Sequence, residues 1–297
     1  MDTNILLESG TNELEILEFT LAGNSYGINV AKIKEIITYQ PVTPVPNSHP
    51  SIEGIFMPRD KMITAIDLKN CLQRGESKKG GLFIITSFNK LDIAFHVDTV
   101  VGIHRVSWKE IIKPDATIST AEEGISTGII KFNNKLIIIL DFEKIVSDIN
   151  PETGLKVTDI DELGERQRCN VPILIAEDSA LLNKLIVDSL RRAGYDNLIH
   201  TENGQQAWDV IKECKEEGTL KQHVQCVITD IEMPLMDGHR LTKLIKEDDE
   251  IKDIPVIIFS SLVNEEMRRK GEALGADAQL SKPEIGNLVK TIDQFVL

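Results

Sequence analysis

Residues 224–241, VQCVITDIEMPLMDGHRL, decide how the second half of this 297-residue chain folds. The apolar run Val224 to Thr229 reads as a strand, it stops at the carboxylate of Asp230, and an amphipathic stretch follows. Working outward, the same rhythm recurs from Val171 onward. Strands are expected at Pro172 to Ala176, Asn197 to His200, Pro255 to Ser260 and Ala278 to Ser281, each followed by a helix. Ala193-Gly194 and Leu274-Gly275 are the expected helix stops. Five such units predict a doubly wound α/β fold around a parallel five-stranded sheet.

In such a sheet the functional crevice lies beyond the carboxyl ends of the strands. Strand one ends in Glu177-Asp178, strand three in Asp230, strand four in Ser260, and strand five in Ser281-Lys282-Pro283. Three carboxylates, a hydroxyl and an ammonium are thereby expected at one edge. Carboxylates held together repel unless a cation intervenes, and hard oxygen ligands suit Mg²⁺, which also takes phosphate oxygens. This predicts a phosphoryl-transfer site in which Asp230 attacks, Lys282 holds a phosphoryl oxygen and the Ser260 hydroxyl donates to another. A single Asp, Lys-Pro or Ser at a strand end is commonplace; the conjunction, in order and at strand ends only, carries the reading.

Residues 15–141 have a different rhythm. Strands are expected at Ile16 to Leu21, Ile52 to Met57, Met62 to Ile66, Leu82 to Phe88, Ile93 to Val97, Gly128 to Phe132 and Leu136 to Leu140. Asn89-Lys90 and Asn133-Asn134 are expected to close hairpins, and short helices are expected at Val30 to Ile37 and Phe142 to Ser147. This half is mainly β, an antiparallel barrel or sandwich. The boundaries follow: residues 13–150, a polar linker at 151–170, and residues 171–297.

The net charge of −14 falls mostly on the second domain, with 15 basic and 23 acidic residues in 171–297 against 15 and 19 in 1–150. Without a basic face, neither nucleic acid nor anionic lipid is expected as a partner. Cys71, Cys169, Cys214 and Cys226 are scattered without a C-x-x-C pair, which speaks against zinc and a disulfide framework. The opening MDTNILLESGTNELE carries acids and no long apolar core, and apolar runs such as Leu136 to Leu140 are too short to span a bilayer, so a cytoplasmic protein is expected.

The first half holds no nucleophile–base set, Walker loop or H-E-x-x-H motif, and no enzyme is expected there. GESKKGG (75–81) lacks phosphate-loop spacing and reads as a solvated loop, and His96 and His104 read as ordinary, partly buried side chains.

The motifs ILIAEDS (173–179), VITDIEMPLMDGHRL (227–241), VIIFSSL (256–262) and GADAQLSKP (275–283) resemble those of the response-regulator receiver domain, a flavodoxin-like fold. The resemblance implies Glu177 and Asp178 as the metal-binding acids, Asp230 as phosphoacceptor and the Glu232 backbone carbonyl as a further Mg²⁺ ligand. It also implies Ser260 as switch hydroxyl and Lys282 as the phosphate-holding lysine. One position departs: Gln279 stands where the family commonly has Tyr or Phe, which removes the usual aromatic readout and leaves the loop after Ser260 or the domain interface to carry the signal.

LEFTLAGNSYGINVAKIKEII (17–37), PVPNSHPSIEGIFMPRDKMITAIDL (44–68) and GIIKFNNKLIIILDFEKI (128–145) resemble the CheW-like coupling domain of bacterial chemotaxis. That implies a double small-barrel (SH3-like) fold whose partners are a CheA-type histidine kinase and the cytoplasmic tips of chemoreceptors. Ile33, Glu35, Gly54 and Arg59 fall at the family's contact positions, and Asp60 replaces a more usual Gly, which is expected to alter the loop. An equal alternative makes Ile33 core and Glu35 and Arg59 solvated charges. The order of the two domains resembles CheV-type coupling proteins, implying an adaptor at receptor arrays tuned at Asp230. A phosphate sink that drains the kinase without changing coupling is the alternative.

Overall fold

The computed structural model describes residues 12–88, 91–112, 125–132, 135–150, 164, 166–262, 264–282 and 284–297. The chain divides into two compact units, residues 14–153 and residues 1–13 with 154–297.

The first unit contains ten strands among its described residues: β1 (Glu13–Leu21), β2 (Asn24–Asn29), β3 (Ile33–Thr38), β4 (Ile52–Phe56), β5 (Ile63–Asp67), β6 (Leu82–Phe88), β7 (Leu91–Val97), β8 (Thr99–Ser107), β9 (Ser126–Phe132) and β10 (Lys135–Leu140). Helices α1 (Leu68–Cys71) and α2 (Phe142–Ile149) complete it. One sheet runs β8-β1-β2-β10-β9 and the other β3-β6-β7-β5-β4. Each sheet curls, because residues from both of its edge strands meet in one core. Val106 of β8 and Ile130 of β9 share a cluster with Leu14, Ile16 and Ile137, while Phe56 of β4 and Ile37 of β3 share another with Phe83 and Ile85. A third core, with Phe19, Tyr26, Ile84, Phe95 and Phe142, lies between the two sheets. Neighbouring side chains on a strand point to opposite faces, so Ile84 enters the shared core while Phe83 and Ile85 enter the small one. Burial on both faces explains why these strands are continuous apolar runs.

The helix expected at Val30 to Ile37 is not formed. A short 3-10 turn, Val30–Lys32, is capped by the Asn29 side chain, and Ile33 to Thr38 continue as β3. Ile33, Ile36 and Ile37 match helical spacing, yet these β-branched residues gain a ladder against β6, with Ile37 opposite Phe83 and a bulge between Ile33 and Glu35. Strands β2 and β8 were not anticipated. β2 (NSYGIN) is broken by polar residues and Gly27, and β8 is an edge strand whose apolar residues Val101 and Ile103 face solvent. The Asn89-Lys90 and Asn133-Asn134 turns lie outside the described residues, although β6 pairs antiparallel with β7, and β9 with β10, around them.

In the second unit β11 (Ile173–Ala176), β12 (Leu198–Thr201), β13 (Cys226–Thr229), β14 (Val256–Ser260) and β15 (Ala278–Ser281) form a parallel sheet in the order β12-β11-β13-β14-β15. The helices are α3 (Ala180–Arg192), α4 (Gly204–Glu216), α5 (Leu220–His223), α6 (Gly238–Glu247), α7 (Glu265–Ala273) and α8 (Ile285–Val296). Alternation along β11 sends Ile173 and Ile175 to the core under α3 and α8, and Leu174 and Ala176 to the core under α4 and α6. Gly194 and Gly275, at φ of 95° and 86°, follow the ends of α3 and α7 as expected. The end of the stretch read as linker is built onto this unit: the Arg166 guanidinium donates to Ala193 O at 2.8 Å and Cys169 N to Gly194 O at 2.7 Å.

Candidate functional site

Because β11 and β13 are adjacent and in register, with Ala176 opposite Thr229, the residues that follow them emerge side by side. Those residues are Glu177-Asp178 and Asp230. The neighbouring β14 and β15 are paired through Ser260 and Ser281, which brings Lys282 to the same end. Lys282 Nζ lies 2.7 Å from Asp230 Oδ2 and 3.0 Å from Glu177 Oε2. Glu177, Asp178 and Asp230 each offer a carboxylate oxygen within 4.8 Å of the others, the one such grouping among the described residues. Glu177, Asp230, Ser260 and Lys282 are all buried, and Asp178 is half-buried.

Local structure fixes these groups. Ile231 N donates to Asp230 Oδ1 at 2.6 Å, Ser179 N to Glu177 Oε1 at 3.2 Å, and Leu262 N to Ser260 Oγ at 3.2 Å. Gly238, first residue of α6, packs so tightly under the end of β13 that a Cβ there would stand 1.9 Å from Asp230 O. Asp237 caps α6 by accepting from Arg240 N at 2.6 Å, and burial pushes its carboxyl up to about 6. Asn12, which groups with this unit, clasps the same loop by donating to Leu235 O at 2.7 Å and accepting from Asp237 N at 3.0 Å. No sequence signal pointed to Asn12, because its partners lie more than two hundred positions away, at separations of 223 and 225.

One ammonium among three carboxylates leaves the pocket negative. Burial, with the charges of Asp230 and Asp178 adding to it, raises the Glu177 carboxyl above its ordinary range despite the opposing pull of Lys282. The donor set is all hard oxygen, and the surplus negative charge fits a divalent cation such as Mg²⁺. Glu232 lies two residues past Asp230 in the same loop, half-buried.

The residues expected at the coupling surface are dispersed differently. Glu35 Oε2 pairs with Arg59 Nη2 at 2.9 Å, with the Arg59 side chain 82% exposed. Ile33 is half-buried against the inter-sheet core. Gly54 is buried at φ 152°, and a Cβ there would meet Thr43 O at 2.5 Å. Asp60 holds φ 63°, the left-handed geometry that a glycine adopts without strain. His96, read as an ordinary histidine, is fully engaged between Glu53 and Gly80 O, and His104 pairs with Glu18.

Residues 15–150 match the family described as CheW-like domain, and residues 173–293 match the response regulator receiver domain. Chemotaxis protein CheV2 of Helicobacter pylori (strain ATCC 700392 / 26695) is 31% identical over 297 residues, covering 92% of this chain and 92% of the relative. The chain belongs to the CheV family. A second CheV-family relative, chemotaxis protein CheV3 of the same strain, is 28% identical over 303 residues, covering 96% of this chain and 95% of its own length. The crystal structure of scaffolding protein TtCheW from Thermoanaerobacter tengcongensis is 29% identical, covering 44% of this chain and 86% of that chain with a TM-score of 0.41. As a CheV-family protein, the chain is a CheW-like coupling adaptor fused to a receiver domain. Among its described residues no helix is long and apolar enough to cross a membrane.

Proposed function

We propose that residues 13–150 couple the cytoplasmic tips of chemoreceptors to a CheA-type histidine kinase, and that phosphorylation of Asp230 within residues 171–297 regulates that coupling at receptor arrays. The observation that most supports it is Lys282 Nζ bridging Asp230 Oδ2 and Glu177 Oε2 beside Asp178, in a chain whose other half is CheW-like. A carboxylate oxygen of Asp230 attacks the phosphorus of a phosphohistidine. The new O–P bond forms as the P–N bond breaks, and the departing imidazole nitrogen keeps the electron pair. Ile231 N holds Asp230 in orientation, Lys282 stabilises charge on the transferred phosphoryl oxygens, and the Ser260 hydroxyl donates to one of them. Glu177, Asp178, Asp230 and the Glu232 carbonyl would hold Mg²⁺, which supplies further neutralisation of the phosphoryl group when bound. Water is limited because the reacting side chains are buried. The chain acts as acceptor and scaffold, with no turnover of a small substrate.

The test has two arms. Acetyl phosphate with Mg²⁺ labels the intact protein at Asp230, and mass spectrometry that finds the label elsewhere removes the site assignment. In reconstituted receptor–kinase arrays, Asp230→Asn loses the label and changes how strongly this chain couples kinase to receptor. A variant that loses the label yet leaves coupling strength untouched is the signature of a phosphate sink, the reading that Gln279 at the usual aromatic position favours.

A further inference from the structure

The helix that follows Ser260 is weakly held by the core. Of the nine residues of α7 only Met267 and Gly271 are buried, against five in α6 and five in α8. A glycine inside a helix is unfavourable relative to alanine, so Gly271 calls for a reason. A Cβ on Gly271 would stand 2.4 Å from Gln279 Oε1, 2.5 Å from Cδ and 2.8 Å from Nε2. The Gln279 amide therefore lies directly over the bare helix backbone. From there Nε2 donates to Arg268 O at 2.7 Å, three residues earlier on the same face of α7. Gln279 itself sits on β15 opposite Ile258 of β14, two residues before Ser260.

These contacts fasten α7 and the stretch ahead of it at three points. Ser260 Oγ accepts from Leu262 N at 3.2 Å, Asn264 Oδ1 caps α7 through Met267 N at 2.8 Å, and Gln279 holds Arg268 O. We infer that Gln279, seated on Gly271, is a positioning residue that pins α7 to the sheet and so fixes Leu262 and Asn264, between which and the sheet Ser260 is presented to the phosphoryl group. The inference rests on the reading of Asp230 as acceptor. Its consequence is that α7 keeps its place when Asp230 is phosphorylated, and the response is confined to the loop ahead of it.

Hydrogen exchange of the full chain over residues 265–273 tests this with wild type, G271A, Q279L and the double variant, before and after acetyl phosphate and Mg²⁺. Alanine raises helix propensity, so without a pin G271A slows exchange in α7. With the pin, G271A and Q279L each speed exchange about five-fold, because one hydrogen bond and its seat are lost. The double variant exchanges no faster than either single one, since both remove the same contact. Wild-type α7 exchanges at the same rate with and without the label, and the variants become label-sensitive. Slower exchange in G271A, additive effects in the double variant, or a label-dependent α7 in wild type each overturn the inference. Mass spectrometry on the same samples keeps the two readings apart: an unlabelled Asp230 defeats the acceptor assignment, while exchange in the untreated variants still decides the pin.

Discussion

In the coupling domain His96 is buried between Glu53 Oε2, 2.8 Å from Nδ1, and Gly80 O, 2.6 Å from Nε2, whereas in the receiver one buried lysine bridges two carboxylates with a third beside them. A backbone carbonyl only accepts, so Nε2 of His96 carries a proton. A second proton on Nδ1 faces the Glu53 carboxylate, and the rings of Tyr39 and Phe83 lie 5.0 and 5.1 Å from the imidazole. One positive and one negative charge close on each other, with every polar atom of the ring engaged. The receiver pocket does not balance in that way: burial and the charges of Asp230 and Asp178 hold the Glu177 carboxyl above its ordinary range despite Lys282. The contrast teaches how to tell a structural ion pair from a site: buried charge that balances itself holds the fold, and buried charge that stays in excess is completed by something from outside.

The strongest way to break this contrast is Lys282→Met. Removing the one buried cation leaves Glu177 and Asp230 uncompensated, which destabilises by about 3–5 kcal/mol in chelator. Urea denaturation is expected to show the loss in the receiver, partly recovered by Mg²⁺. If the variant is as stable as wild type without metal, the pocket is not the over-charged cluster described here. The opposite sign is expected for Glu177→Gln, which relieves repulsion and leaves metal-free stability equal or higher.

In the coupling domain the sign reverses. Glu53→Gln removes the carboxylate that faces the His96 imidazolium and is expected to destabilise by about 1.5–3 kcal/mol. Burial alone lowers the His96 pKa, but hydrogen bonds to Glu53 and Gly80 O, with the Glu53 charge, outweigh it and raise the group above its ordinary value. A base whose folded pKa is raised contributes stability that is complete below its unfolded value of about 6.5 and is lost as pH rises through the folded value. The stability of the full chain, followed by near-ultraviolet signals and by exchange in β7, is therefore expected to fall as pH rises above about 6.5. His96→Gln should abolish that slope, and a slope that survives it places the titration elsewhere.

How much of this was legible beforehand follows from the two architectures. Lys282 meets Glu177 across 105 positions and Asp230 across 52, yet both contacts were readable, because in a parallel βαβ sheet all strand ends share one edge. His96 and Glu53 are 43 positions apart, and His104 and Glu18 are 86 apart, on strands of curled, largely antiparallel sheets where no comparable rule brings ends together. The same absence hid β2, β3 and β8. Their pairing depends on partners such as Phe83 opposite Ile37, which local periodicity cannot supply. Gln279 was visible as a departure, but its seat on Gly271 required the third dimension.

The smallest expected effect on stability is also the one that sharpens the coupling side most. Arg59 and Glu35 sit near the open ends of the second sheet, on the β4–β5 turn and on β3, and they pair at 2.9 Å with Arg59 82% exposed. An ion pair so open to water contributes at most about 1 kcal/mol, and the extended arginine loses side-chain entropy to make it. Arg59→Ala is thus expected to shift the urea midpoint of the coupling domain barely at all. If Arg59 contacts a partner, the same variant lowers capture of kinase by receptor arrays by about tenfold, since truncating an arginine in an interface costs more than 1 kcal/mol at the positions that matter. Because stability is expected to be untouched, loss of capture could not be ascribed to unfolding. Unchanged capture together with unchanged stability would leave Arg59 and Glu35 as solvated charges, and would move the contact surface to another face of the sheets.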